Sequence, residues 1–306
     1  MPDIVCLGEP LIELNEREGD GRYHIGLGGD TSNCAVAAAR QGGRVGYLSA
    51  IGTDGFGDRL MELWRTEGVD ATHVVRDPRA PTGVYFVSHG AGGHRFSYAR
   101  AGSAASRMRP EGLPLDYLRQ AKILHVSGIS QAISQDACDT VFAAIEAVRA
   151  AGGTVAYDTN LRQSLWPLPR ARAIITGTLR LADIARPSVD DAKHLFGTED
   201  PDAIVDAVLA LGPKIVAVTL GADGCLVATP ARREKIPRFP VEAVDATGAG
   251  DAFDGAFLVE WLRTGDPFAA ARYANVAAAL KTLGFGAVEP MPRRADVEAA
   301  LARLPA

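Results

Sequence analysis

The chain is poor in residues that would tie it together covalently or fix it to a membrane. Its 306 residues include only four cysteines, Cys6, Cys34, Cys138 and Cys225, with no Cys-x-x-Cys pair among them. That spacing suggests neither a disulfide framework nor a cysteine zinc site, and leaves buried free thiols in a reducing cytoplasm as the ordinary reading. No run of 18 apolar residues occurs, so no membrane span is expected. The start, Asp3-Ile4-Val5-Cys6-Leu7-Gly8, is already strand-like and carries no charged leader; no signal peptide is expected, and a cytoplasmic location is. Positive charge is not in excess either. The net charge of −5 argues against a nucleic-acid partner. The six histidines, His24, His73, His89, His94, His125 and His194, show no metal-ligand spacing. Internal repeats, low-complexity tracts and a domain linker are absent.

What is present is a long alternation of apolar strands and helical segments in a chain that is 47% hydrophobic. Residues 3–8 read as a buried strand and Asn33–Ala39 as a small-residue helix that stops at Gly42-Gly43. Residues 44–51 form one strand, and a helix covers 58–67. From residue 121 the rhythm is regular: strands at 123–126, 154–157, 183–185 and 214–219, with helices at 135–150, 170–181, 188–196 and 202–211 between them. Strands at 225–228 and 234–237 follow, then helices after 249, at 267–283 and near 294–303. This predicts an α/β fold, a mainly parallel sheet with helices on both faces, as a single domain over 1–306. Two stretches break the rhythm, about 11–27 and 72–100. The second holds strand candidates at 73–75, 83–88 and 95–98, the last two joined through Gly90-Ala91-Gly92-Gly93. Together they predict a small β sheet over one end of the core.

The chemistry concentrates in Val244-Asp245-Ala246-Thr247-Gly248-Ala249-Gly250-Asp251-Ala252-Phe253. Gly248, Ala249 and Gly250 let first-turn N–H groups face an anion, with a helix dipole behind them. Asp251 then stands beside the place a phosphoryl group would take. A carboxylate suits that place if it removes a proton from an attacking hydroxyl, so anion cradle and base together point to phosphoryl transfer to an alcohol. A helix with a glycine turn and an N-terminal Asp fits the same residues. Gly28-Gly29-Asp30-Thr31-Ser32-Asn33 opens another helix, and Gly29, Asp30 and Asn33 offer short polar groups suited to a polyol; an N-capped helix after a glycine turn is the plainer reading. Arg100 and Arg162 each follow a strand bordering the expected cleft. A neutral sugar would leave both without an evident partner, so they point to an acidic one, although an ordinary salt-bridged or surface arginine is the common case. Gly52–Gly57 is no Walker A loop, because Lys-Ser/Thr does not follow, and Ser127 lies in no nucleophile elbow.

Segments 28–33 and 244–253 together resemble the signature segments of the ribokinase (PfkB) family of carbohydrate kinases. Thr82-Gly83-Val84-Tyr85, Tyr98-Ala99-Arg100 with Ser103-Ala104-Ala105, Ser127-Gly128-Ile129 and Asp158-Thr159-Asn160-Leu161-Arg162-Gln163-Ser164-Leu165-Trp166 resemble its 2-keto-3-deoxygluconate kinase branch, from Gly8 to about Gly286. The resemblance implies a ribokinase-like fold with the small sheet of about 11–27 and 72–100 as a β lid, and ATP-dependent phosphorylation of the primary hydroxyl of 2-keto-3-deoxygluconate, with Asp251 as general base and Gly248, Ala249 and Gly250 as anion hole. It implies that Gly29, Asp30, Asn33, Tyr85, Tyr98, Arg100 and Arg162 bind the sugar acid, the arginines near its carboxylate. Asn160, Thr219, Gly221, Gly224 and Asn275 would face ATP. Mg²⁺ would be ordered near Asp191 through water, in Ser188-Val189-Asp190-Asp191, where the family often has Asn-x-x-Glu; Ser and the shorter Asp keep hard oxygen donors but change the reach. Ala246 stands where the family often has Thr, Pro or Ser. Without the resemblance, Tyr85 and Tyr98 read as half-buried sheet residues and Asn275 as a helix-surface side chain.

Two other readings stay open. The acceptor could instead be fructose, ribose or another ketohexose, or the chain could be a sugar-binding relative without turnover. The expected partners are a small sugar acid and ATP; the apolar lid residues Val84, Phe86 and Phe96 fit either pairing with a second copy of the chain or covering its own pocket.

Overall fold

The computed structural model describes residues 1–16, 20–90 and 93–303. In chain order the strands are β1 (Ile4–Leu7), β2 (Leu11–Glu16), β3 (His24–Gly28), β4 (Val45–Leu48), β5 (Ala50–Gly52), β6 (Val75–Asp77), β7 (Gly83–Gly90), β8 (Gly93–Ala99), β9 (Ile123–Ser127), β10 (Thr154–Asp158), β11 (Ile184–Arg186), β12 (Ile215–Thr219), β13 (Cys225–Thr229) and β14 (Arg232–Ile236). The helices are α1 (Asp30–Arg40), α2 (Gly55–Glu67), α3 (Leu115–Leu118), α4 (Gly128–Ala132), α5 (Gln135–Ala150), α6 (Leu168–Leu179), α7 (Val189–Leu195), α8 (Pro201–Leu209), α9 (Ala249–Thr264), α10 (Pro267–Lys281) and α11 (Arg294–Leu301).

Eight strands form the main sheet in the order β14-β13-β12-β11-β10-β9-β1-β4. The six from β12 to β4 run parallel, and β13 and β14 close one edge antiparallel. The central strands are continuous apolar runs because both faces are covered: Ile4, Val5, Cys6 and Leu7 of β1 are all fully buried. One core lies under α1, α9 and α10, the other under α5, α6 and α8. The chain leaves β1 toward β4 on one side and returns to β9 on the other. That reversal opens a crevice at the carboxyl ends of the strands, where α/β proteins place their sites.

A second sheet, β3-β2-β7-β8, lies outside the first and is the lid. Its hairpin residues Ala91 and Gly92 lie outside the described residues, as do 17–19 of the first lid segment. Two expectations are corrected. The strand foreseen over 44–51 is interrupted at Ser49, whose hydroxyl donates to the Gly8 carbonyl at 2.7 Å. Its second half, β5, then pairs with β6 in a separate two-stranded sheet, so the strand near 75 does not belong to the lid and only the 83–99 part of 72–100 does.

Packing of α1 on α9 positions the site. A Cβ at Gly255 would lie 2.6 Å from the Ala37 Cβ, the Ala38 N and the Cys34 O. Only glycine facing the alanine-rich surface of α1 permits that approach, and it brings Asn33 against the first turn of α9.

Candidate active site

Gly248 caps α9 with φ 78°, a left-handed conformation that favours glycine, over the Ala287 carbonyl. The Ala249 N–H turns back to the Ala246 carbonyl at 3.1 Å. Among the described residues no acceptor takes the N–H groups of Gly248, Gly250 or Asp251. Three unpaired donors at a helix N-terminus form an anion cradle. The Ala249 N–H expected in it is engaged elsewhere. The Arg186 guanidinium packs beneath, 3.0–3.3 Å from where a Gly250 Cβ would stand.

Asp251 follows in the first turn of α9, buried, and Asn33 Nδ2 donates to its Oδ2 at 2.8 Å. Burial, and after it the charge of Asp30, raises its carboxyl to about 7; the Asn33 bond and Arg186 oppose this. A carboxyl that titrates near neutrality in a cleft is suited to accepting a proton.

Around it runs a polar network that sequence reasoning only half found. Asp30 Oδ2 accepts from Asn160 Nδ2 at 3.0 Å and from the Ser127 hydroxyl. Arg186, at the end of β11, is buried between Asp158 and Asp254, its Nε 2.7 Å from Asp254 Oδ1. Arg186 and Asp254 were not foreseen. Their signals were an arginine closing a strand directly before Pro187, and a second carboxylate three residues along the helix from Asp251.

One cavity of about 550 Å³ joins Asp30, Asp158, Asn160 and Arg186 of this network with the other acceptor residues. Gly29, Asp30, Asn33, Tyr85, Tyr98, Arg100 and Arg162 line it, as do Gly248, Gly250 and Asp251. Gly29 has φ 99°, and a Cβ there would meet the Glu9 carbonyl at 2.3 Å, so the close turn into α1 requires glycine. The two arginines differ. Arg100 is ion-paired to Glu9, its Nε 2.7 Å from Oε2, and the Ser103 hydroxyl also donates to Glu9. The expectation that Arg100 lacks a protein partner is therefore corrected: the turn after β1 buries Glu9 directly behind it. Arg162 is exposed, donates only to the Leu161 carbonyl at 3.1 Å, and has no ion pair among the described residues. Tyr85 is buried and its hydroxyl donates to Glu13, another partner not foreseen. Tyr98 is 42% exposed, its ring 5.7 Å from the Arg100 guanidinium carbon.

On the expected nucleotide side, Asn160 and Thr219 line the cavity, while Gly221, Gly224 and Asn275 do not. Asn160 holds a positive φ of 24°, which aims its amide at Asp30. Gly224, with φ 94°, passes so close to the Ile236 carbonyl that a Cβ would lie 2.1 Å from it. Asn275 donates to the Pro237 carbonyl at 2.8 Å. Asp191 lies on the cavity wall; the Thr159 hydroxyl donates to its Oδ2 at 2.8 Å, and Ser188 caps its helix. Among the described residues no group of three or more His, Cys, Asp or Glu could enclose a metal ion. A single carboxylate with the exposed Asp190 beside it suits Mg²⁺ held mainly by phosphates and water, and does not suit a protein cage.

The model of the pfkB family carbohydrate kinases matches residues 1–294. A 2-dehydro-3-deoxygluconokinase of Thermoproteus tenax is 36% identical, over 97% of this chain and 94% of its own. Fructokinase-1 of Zea mays is 33% identical, over 88% and 86%. Among solved structures, a fructokinase with bound ATP from Xylella fastidiosa superposes with a TM-score of 0.91 at 27% identity, covering 99% of both chains.

Proposed function

The chain belongs to the pfkB family of carbohydrate kinases, and on that premise we propose that it phosphorylates the primary hydroxyl of 2-keto-3-deoxygluconate, giving the 6-phosphate, with ATP as donor. The observation that carries the reading is the joining, in one cavity, of a base beside three free N–H donors with the unpaired guanidinium of Arg162. A guanidinium without a protein carboxylate suits the carboxylate of a sugar acid.

Asp251 removes the proton of the acceptor hydroxyl as that oxygen bonds to the terminal phosphorus and the bond from that phosphorus to the ADP oxygen breaks. The N–H groups of Gly248, Gly250 and Asp251 face the charge on the migrating group, where fixed donors are most effective. Asn33 holds the carboxylate of Asp251 toward the cavity. Gly29 and Asp30 border the sugar. Asn160 and Thr219 lie on the side left for the nucleotide. Mg²⁺ would be held at Asp191 through water, and when bound it neutralises phosphate charge.

A neutral ketohexose such as fructose is the second reading. It is favoured by the Arg100–Glu9 pair, which leaves one uncompensated arginine where two were expected, and by the similarity to a fructokinase. An acceptor panel in a coupled ADP assay separates the two. The keto-deoxy acid should exceed fructose and ribose in kcat/KM; a higher value for fructose would reject the acid, and no sugar-dependent ADP at all would reject the kinase.

A further inference from the structure

Lys281 ends α10 and is completely buried. Its Nζ donates to the main-chain oxygen of Asp245 at 2.9 Å. Among the described residues it has no ion-pair partner and no second acceptor. An ammonium held this way is costly to bury. Burial pulls it below the ordinary lysine range, opposed by the charges of Asp245, Glu13 and Asp251. None of the roles described above uses it.

Its one partner lies in the loop that leads into the cradle. The adjacent Thr282 carbonyl accepts the N–H groups of Val244 at 2.7 Å and Asp245 at 3.1 Å. The Asp245 carboxylate accepts from the Thr247 N–H at 2.9 Å and the Gly286 N–H at 2.8 Å. Loop 244–247 is thus held from several sides by 281–286. It then runs directly into Gly248, whose left-handed turn sits over Ala287. Fixing the Asp245 carbonyl fixes the peptide planes just ahead of the free donors. Those donors have no internal partner of their own, so only the loop in front of α9 and the helix behind them hold their direction.

We propose that Lys281 is a positioning residue for phosphoryl transfer: its ammonium is an internal cation that holds the Asp245 carbonyl and, through it, the N–H groups of Gly248, Gly250 and Asp251 in line with the migrating group. The proposal rests on the kinase reading of that cradle. A charge kept for this purpose is not kept for stability. Replacing it with an apolar side chain of similar length should leave the fold as stable or more so, because isolated buried charges weigh against folding. A loop shaped around an ammonium should also accept another small monovalent cation if the side chain is removed.

The test uses the full chain and two variants. Sugar-dependent ADP formation by the wild type reports on the kinase reading alone, and Lys281 is judged by the ratio of variant to wild type and by melting. Lys281→Met should melt at or above the wild-type temperature, lose roughly 100-fold in kcat, as loss of one oriented donor does, and keep its acceptor KM. Lys281→Ala should lose the same activity and regain much of it, saturably, with ammonium or potassium chloride but not with tetramethylammonium chloride. Wild-type kcat in the Met variant would overturn the proposal. So would a Met variant that melts far below the wild type, which would make the lysine structural, or an Ala variant indifferent to ammonium and potassium.

Discussion

At Asp251 folding and chemistry pull in opposite directions. Burial beside Asp30 raises the carboxyl from 3.8 to about 7. Between those values the folded chain holds a proton that the unfolded chain has released, so stability falls as pH rises through this window and stays low above it. At ~1.4 kcal/mol per pH unit the ionised, buried carboxylate costs on the order of 4 kcal/mol by pH 8. Asp251→Asn should therefore melt above the wild type at pH 8, with the gap closing as pH falls toward 4; a gap independent of pH would contradict this origin. The same variant should lose ~10²–10⁴-fold in turnover. With Asp251 as the proposed base, wild-type kcat/KM should rise with pH up to about 7 and then level, since only an ionised carboxylate accepts a proton. The arginines should separate as well. Arg162→Ala should raise KM for the keto-acid acceptor and leave that for fructose unchanged. Arg100→Ala should instead lower the melting temperature, because it strands the buried Glu9; breaking such a pair costs about 3–5 kcal/mol. Calorimetric melting alongside acceptor titrations checks both, and equal KM effects on both acceptors would remove Arg162 from carboxylate recognition.

At the scale of elements, the contact of α1 with α9 sets the site. Gly255→Ala should push the helices apart by forcing a methyl into the space of Ala37 and the Cys34 carbonyl, costing about 1–3 kcal/mol. It should also lower kcat, because Asn33 reaches Asp251 only across that interface. An unchanged melting temperature with unchanged kcat would show that the helices have room to spare. This scale also shows what the sequence could reveal. Helix α5 was legible residue for residue, because Ser134 caps one end and Gly152-Gly153 follow the other. Strand β1, the existence of β7 and β8 and the glycine turn before α9 were also plain, since each depends on local pattern, although the ends of the lid strands were not. The break at Ser49, the pairing of β6 with β5 and the short helix α4 were not, because tertiary contacts decide them. Within the site, Asp251 and Asn33 announced themselves through glycine turns at two helix starts. The Glu9–Arg100 pair joins residues 91 apart, and the Glu13–Tyr85 bond joins strands of a lid whose register no local pattern states. Polar partners brought together only by folding leave no periodic trace.

For the molecule as a whole, the proposed function raises the question of how a cradle holding a migrating phosphoryl group would avoid passing it to water. The cavity is bounded on one side by the lid, where Phe96 and Tyr98 of β8 line it yet stay 45% and 42% exposed. Half-exposed aromatic rings on the wall of a cleft are surface still available for burial against a bound acceptor. By contrast Ile25 on β3 and Tyr23 just before it are also exposed but do not line the cavity. If sugar binding draws β8 inward, water is excluded only when an acceptor is present. ATP turnover without sugar should then be a small fraction of turnover with it. Tyr98→Ser should uncouple the two, raising the acceptor KM and the ratio of ADP released to sugar phosphate formed, while the melting temperature stays near that of the wild type because the ring is already half in solvent. Measuring ADP and phosphosugar in the same reaction decides it: a ratio that stays at one in the variant would place the exclusion of water in the rigid core of the cleft and not in the lid.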